Sequence, residues 1–332
     1  MNPPARLTIG ALTFEPPVLL APMAGYTDLP FRAGIRALGG VGLAYTEMLS
    51  PASLTLGKSR KRATLLATNE ADRPIAYQIY GSRVAPLCDA ARWLQDHGAR
   101  LIDINMGCPQ RKISTHGAGA GLLRDPGAAV RIAAEVVKSV RIPVTAKLRL
   151  GWDHTRLVAR DMTPALEDAG IAAITIHGRT RSQGYSGEAD LAEIAAVVAA
   201  ARRVPVIGNG DVTSPETARR LFDQTGCSAI MIGRGILRHP WLIREISNDL
   251  RGLPPAPAPT RAERIQFMRD HFERMVTLYG AQGGCLLYRK WIPLYVRPLL
   301  SGRPQMVEWL RVEDPDRMRQ LMAGLDPAVE PA

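Results

Sequence analysis

Leu101-Ile-Asp-Ile-Asn-Met-Gly-Cys-Pro-Gln-Arg-Lys112 is a short apolar run that ends abruptly at a thiol. Leu101, Ile102 and Ile104 read as a buried strand, and Gly107 and Pro109 break it at once. This places Cys108 on a turn at the C-terminal end of a strand. Asn105 lies three residues before it, and Arg111 and Lys112 follow closely. A thiol near an amide and positive charge suits proton transfer or nucleophilic attack. A lone cysteine is more often an inert, buried turn residue, so the weight falls on its surroundings.

The same pattern, an apolar run closed by a polar residue and a glycine or proline, occurs eight times. The runs are Pro17 to Gly25, Leu43 to Met48, Ile75 to Gly81, Leu101 to Cys108, Pro143 to Gly151, Ala173 to Arg179, Pro205 to Asp211 and Ala229 to Gly235. Alanine-rich segments of helical period lie between most of them, such as Pro126 to Val140 and Ala189 to Ala201. Ser214 before Pro215-Glu216 reads as a helix start, with a hydroxyl cap, proline in the first turn and an acid near the positive end of the dipole. Eight strand–helix alternations in about 240 residues predict a (β/α)8 TIM barrel, with a doubly wound open sheet as the alternative.

A barrel should gather its active-site groups at the C-terminal ends of its strands. Those ends carry Pro22-Met23-Ala24, Glu47, Gln78, Asn105 with Cys108, Lys147 with Arg149, His177 with Arg179, Asn209-Gly210-Asp211 and Gly233-Arg234. Lys147 and Arg149 are two apart on one strand and share a face, so both are expected in the barrel mouth. The glycines of Val206-Ile-Gly-Asn-Gly-Asp211 and Ile232-Gly-Arg-Gly235 follow the seventh and eighth strands, where many barrels bind phosphate through backbone N–H groups. Arg234 could add charge-assisted bonds there. No early strand is followed by a Gly-x-Gly-x-x-Gly fingerprint for a dinucleotide.

Taken together, Ala21-Pro-Met-Ala-Gly-Tyr-Thr-Asp-Leu-Pro-Phe-Arg32, Gln78-Ile79, Asp103-Ile-Asn-Met-Gly-Cys-Pro109, Lys147, Ile176-His-Gly-Arg-Thr180, Asn209-Gly-Asp211 and Gly233-Arg234 closely resemble the tRNA-dihydrouridine synthases, most nearly their bacterial B-type branch. The resemblance runs in unbroken order over residues 15 to 250. It implies reduction of particular tRNA uridines to 5,6-dihydrouridine by FMN that NADPH re-reduces. It also implies that Pro22, Met23, Ala24, Gln78, Lys147, Asn209, Gly210, Asp211, Gly233 and Arg234 hold the flavin. Cys108 is implied in catalysis, and Asn105 and His177 at the flavin or the target base, His177 being read with the flavin and Asn105 with the substrate. Arg149, Arg179, Arg111 and Lys112 are expected on the substrate side. Hydride to uracil C6 leaves C5 needing a proton, which Cys108 as a thiol could supply. There is a tension: cations at Arg111 and Lys112 would acidify the thiol, so they are expected to point at RNA phosphate instead. Gln110 departs from the family pattern, where a small residue commonly follows Cys-Pro.

Composition agrees with an acidic polymer as partner. Lysine and arginine number 42 against 31 acidic residues, a net charge of +11. Lys58-Ser-Arg-Lys-Arg62 is a basic cluster after the second strand, placed to attract phosphate. Aromatic residues are 5%, too few for base stacking to dominate affinity.

Residues 1–250 are expected to form the barrel and 251–260 a stiff Pro/Ala linker. Residues 261–332 are expected to form a small helical domain. Ile265, Met268, Phe272, Met275 and Val276 give Arg261 to Tyr279 one apolar stripe at helical spacing. Leu286 to Leu300 and Arg317 to Leu325 are further helices, and the resemblance makes this domain tRNA-binding. Cys88, Cys108, Cys227 and Cys285 are far apart, which points to neither a metal site nor a disulfide framework. No signal peptide is evident and no apolar run nears the ~20 residues that span a bilayer, so a cytoplasmic protein, expected as a monomer, is read. Two alternatives stand: an FMN barrel reducing a small dihydropyrimidine-type substrate, and a non-catalytic RNA-binding protein.

Overall fold

A computed structural model of the chain describes residues 4–55, 60–296, 299 and 303–325. Eight parallel strands close into a barrel: β1 Val18–Leu20, β2 Leu43–Tyr45, β3 Ile75–Ile79, β4 Ile102–Met106, β5 Val144–Arg149, β6 Ile174–His177, β7 Val206–Asn209 and β8 Ala229–Ile232. Closure is explicit in the register, because Ile230, Met231 and Ile232 of β8 pair with Val18, Leu19 and Leu20 of β1. An open sheet is thereby excluded.

Alternation along each strand sorts side chains between two cores. Leu19, Tyr45, Ala76, Ile207 and Met231 fill the interior, whereas Val18, Leu20, Ile102, Ile104 and Ile176 face the helical layer. Burial on both faces is why these strands read as nearly continuous apolar runs. An antiparallel ribbon, Leu7–Ile9 with Leu12–Phe14, sends Leu7, Ile9 and Phe14 into the interior core beside Leu101 and Ala173 at the strand starts. This ribbon plugs the N-terminal end, leaving the C-terminal end as the open mouth.

Local chemistry starts and stops the helices where strand ends require it. Ser214 accepts from Thr217 N at 3.3 Å and Thr217 Oγ1 accepts from Ser214 N at 2.9 Å, a reciprocal cap for helix Pro215–Thr225. That helix ends at Gly226 in the left-handed conformation, φ 67°. Asp28 caps helix Leu29–Leu38 by accepting from Phe31 N.

Beyond Arg251–Thr260, which holds no helix or strand, helices span Arg261–Tyr279, Ala281–Tyr288, Ile292–Tyr295, Arg303–Arg311 and Pro315–Ala323. They pack on the first barrel helix: Trp291 stacks on Phe31 at 4.7 Å between ring centres and on Tyr295 at 5.3 Å. Tyr279 Oη donates to Asp28 Oδ2 at 3.0 Å. Phe267, Met268, Phe272 and Trp291 are continuous with the barrel's outer apolar layer, so barrel and helices share one core. Among the described residues no helix is long and apolar enough to cross a membrane. In the basic cluster, Lys58 and Ser59 and the side chains of Arg60 and Lys61 lie outside the described residues. Arg62 donates to Leu54 O at 3.0 Å and lies over the Trp93 ring.

Candidate active site

The barrel mouth holds a cavity of about 810 Å³, within the size range of cofactor sites. Of the residues singled out in the sequence, Pro22, Met23, Ala24, Gln78, Asn105, Cys108, Lys147, Arg149, His177, Asn209, Gly210, Asp211, Gly233 and Arg234 line it. Arg111 and Lys112 stand exposed on a one-turn helix, Arg111–Ser114, and are not part of the lining. Arg179 is also absent from it. Its buried guanidinium is spent on Asp211 at 2.7 and 2.9 Å and on the carbonyls of Ser186 and Gly187.

Cys108 sits on the turn after β4, where Asn105 Oδ1 accepts from Gly107 N at 3.1 Å and from Cys108 N at 2.9 Å. Burial pushes the thiol up from its ordinary value, against the Gln110 N–H and the charges of Arg149 and Lys147. The cations that act on this thiol therefore come from β5 rather than from Arg111 and Lys112. Its net environment keeps it protonated at neutral pH, which removes the tension posed by the sequence.

Lys147 Nζ donates to Asn209 Oδ1 at 2.9 Å, and Asn209 Nδ2 donates to Met231 O at 2.7 Å. Burial, then the neighbouring Arg149, lowers the ammonium to about 8. Arg149 Nε donates to Gly107 O at 3.0 Å, tying β5 to the cysteine turn, while Nη1 donates to Thr180 O and Gly184 O. Burial lowers it to about 10, so it stays charged at neutral pH. Burial and the surrounding cations, Lys147 first, hold His177 well below the ordinary imidazole value. It is a neutral ring facing the cavity.

The loops after β7 and β8 bring bare backbone to the mouth. Gly210 has φ +136°, and a Cβ there would lie 2.6 Å from Ala189 Cβ. A Cβ on Gly235 would lie 2.4 Å from Val212 O. The Asp211 carboxylate is disfavoured by burial, but its bonds from Arg179 and Ala189 N hold it below the ordinary range. Arg234 lies over the Tyr185 ring at 4.0 Å and 3.9 Å from Asp211.

Tyr26, Met48, Tyr185 and Arg238 also line the cavity and were not foreseen. Tyr185 is 51% exposed and approached by both Arg149 and Arg234. Its sole sequence cue was an aromatic in a loop flanked by Gly184 and Gly187. Among the described residues, no group of three or more His, Cys, Asp or Glu could hold a metal ion. The lining combines four amides, four cations, a neutral imidazole, apolar methionines and a glycine-rich anion cradle. It suits a planar polar heterocycle carrying a phosphate.

Comparison with known proteins agrees with this chemistry. A family model described as dihydrouridine synthase matches residues 19–309. A probable tRNA-dihydrouridine synthase of Rhodobacter capsulatus is 41% identical over 309 residues, covering 93% of this chain and 94% of its own. The tRNA-dihydrouridine synthase B of Pseudomonas aeruginosa is 40% identical over 311 residues, covering 93% and 92%. Among solved structures, a variant of NCR from Zymomonas mobilis superposes with a TM-score of 0.53 at 17% identity, covering 76% of this chain and 93% of that one. At that identity the likeness is one of fold.

Proposed function

This chain belongs to the dihydrouridine synthase family of flavin-dependent oxidoreductases, and from that premise we propose that it reduces uridine in tRNA to 5,6-dihydrouridine, using FMN and NADPH. The observation that carries the reading is the Cys108 thiol facing the same cavity as Lys147 and the glycine-rich loops. Bound FMN, kept reduced by NADPH, supplies hydride for uracil C6.

The chain's own residues do the rest. Gly210, Gly233 and Arg234 receive the cofactor phosphate, and Asp211 acts indirectly by bracing Arg179 and the loop at Ala189. Lys147 would hold the flavin ring, and its charge would offset the negative charge that the ring gains on reduction. Cys108 gives its proton to C5, and Arg149 and Lys147 then stabilise the thiolate until solvent reprotonates it. Asn105 and neutral His177 offer hydrogen bonds to the base without adding charge. The basic cluster from Lys58 to Arg62 and the helical segment from residue 261 onward meet the tRNA.

The test is direct. Purified protein should release FMN rather than FAD, and unmodified tRNA with NADPH should gain two mass units at a uridine. Absence of flavin after gentle purification and FMN addition, or reduction of free pyrimidines but not tRNA, overturns the reading.

A further inference from the structure

The barrel interior carries a line of side-chain hydrogen bonds that begins beneath the cavity. Thr145 Oγ1 on β5 donates to Asp103 Oδ1 at 2.6 Å, and Gln78 Nε2 on β3 donates to Asp103 Oδ2 at 2.7 Å. Two residues further along β4, Asn105 Nδ2 donates to Gln78 Oε1 at 2.8 Å. Asn105 Oδ1 in turn accepts from the backbone N–H groups of Gly107 and Cys108. Asp103 is fully buried and does not line the cavity.

The polarity of this line is dictated from both ends. A backbone N–H can only donate, so Asn105 must turn its oxygen to the cysteine turn and its NH₂ to Gln78. Gln78 must then present its own NH₂ in the opposite direction, deep in the barrel, where Asp103 accepts it. Without an acceptor at position 103, that NH₂ is buried and unpaired, and Gln78 loses the bond that fixes its orientation. As Gln78 moves to find another acceptor, Asn105 loses the fixed partner of its NH₂, and its oxygen is held less firmly on the Gly107 and Cys108 N–H groups.

We propose that Asp103 is a positioning residue that holds the Cys108 thiol in place through Gln78 and Asn105, without touching any reactant. The consequence for turnover rests on Cys108 being the acid; the consequence for the turn does not. The required property is an acceptor oxygen, so the conservative variant is informative. Asp103→Asn can offer its oxygen to Gln78 and its NH₂ to Thr145, whose hydroxyl turns to Ile102 O, 3.4 Å away. Asp103→Leu has nearly the same shape and no acceptor. Asp103→Ala is a second acceptor-free variant that imposes no clash.

Cofactor-containing protein is examined by three readouts: amide hydrogen exchange at Gly107 and Cys108, alkylation of Cys108 by iodoacetamide, and kcat against KM for tRNA. The other cysteines are buried, so alkylation reports Cys108. In the Leu and Ala variants, exchange at the two amides should quicken by about five- to tenfold, the loss of one net hydrogen bond. Alkylation should change with it, and kcat should fall while KM holds. The Asn variant should stay within about twofold of wild type on every readout. Wild-type exchange and alkylation in folded Leu and Ala variants, or an Asn variant as impaired as Leu, overturns the proposal. Altered exchange and alkylation with an unchanged kcat leaves the positioning standing and counts against Cys108 as the acid.

Discussion

Lys147 Nζ crosses the barrel mouth from β5 to Asn209 Oδ1 on β7, 2.9 Å away, passing over the intervening β6. The bond pins a half-buried ammonium to one spot in the cavity instead of leaving it free on a flexible stem. Asn209 is itself anchored to Met231 O on β8, so three strands share in fixing one charge.

That charge should titrate within reach of ordinary buffers. The folded value of about 8 lies below the ordinary lysine value, so Lys147 is charged below pH 8 and neutral above it. Its help to a negative ligand is therefore present at neutral pH and lost as pH rises through 8. Flavin reduction by NADPH in stopped flow should decline over that window. In Lys147→Met the rate should be roughly 10- to 100-fold lower at pH 7, the worth of one charged hydrogen bond, and flat across it. A wild-type profile without an inflection near 8 contradicts this.

Cys108→Ala should retain FMN, tRNA binding and flavin reduction, none of which uses the thiol. Reoxidation of pre-reduced flavin by tRNA should fall by about 10²–10⁴-fold, the usual worth of a positioned general acid. An unaffected single turnover would make Cys108 a turn residue only.

The thiol's own titration is separately measurable. Because burial pushes it up, the pH at which iodoacetamide labelling reaches half its maximum should lie above that of free cysteine. An inflection below free cysteine would mean that Arg149 and Lys147 outweigh burial, and that the resting group is a thiolate.

Gly210→Ala adds a Cβ where φ is +136° and Ala189 Cβ would be 2.6 Å away. The loop must shift, so flavin affinity should drop by at least about tenfold with little loss of helix by circular dichroism, since the strain is local. Wild-type flavin content in this variant would move the phosphate site elsewhere.

Trp291 is fully buried between Phe31 and Tyr295. Trp291→Ala should cost about 3–5 kcal/mol in urea unfolding, as for other large core aromatics. Because barrel and helices share one core, the wild type should unfold in a single transition, and two separated transitions would show two independent units.

If Lys58, Arg60, Lys61 and Arg62 meet tRNA phosphates, replacing all four by alanine should flatten the dependence of log affinity on log salt by up to about four contacts' worth. Equal slopes would leave them as solvated loop residues.

Much of this was legible in the sequence because it is local. A strand that stops at Gly107 and Pro109 must release Cys108 onto a turn, wherever the strand lies in the sheet. Eight such endings, read with the parity that puts Lys147 and Arg149 on one face, locate a mouth and most of its lining. The plug escaped notice because each strand of the ribbon is only three residues, Leu7–Ile9 and Leu12–Phe14, too short to show a period. Arg179 was expected in the mouth from its place after β6, yet its ion pair with Asp211 from another loop turns it away.

By itself the sequence determined which residues end strands, and so that the barrel has one chemical end with Cys108 on it. That follows from backbone propensity and two-residue periodicity, which act between near neighbours. Only the tertiary structure decided the state of those groups. Burial raises the thiol against the cations of β5, burial and the neighbouring Arg149 lower the Lys147 ammonium, and burial with the surrounding cations, Lys147 first, keeps His177 neutral. The line from Asp103 through Gln78 and Asn105 to Cys108 exists because parallel pairing sets β3, β4 and β5 side by side in register. Proton affinity and hydrogen-bond polarity depend on distance in space, and that distance is defined when the barrel closes.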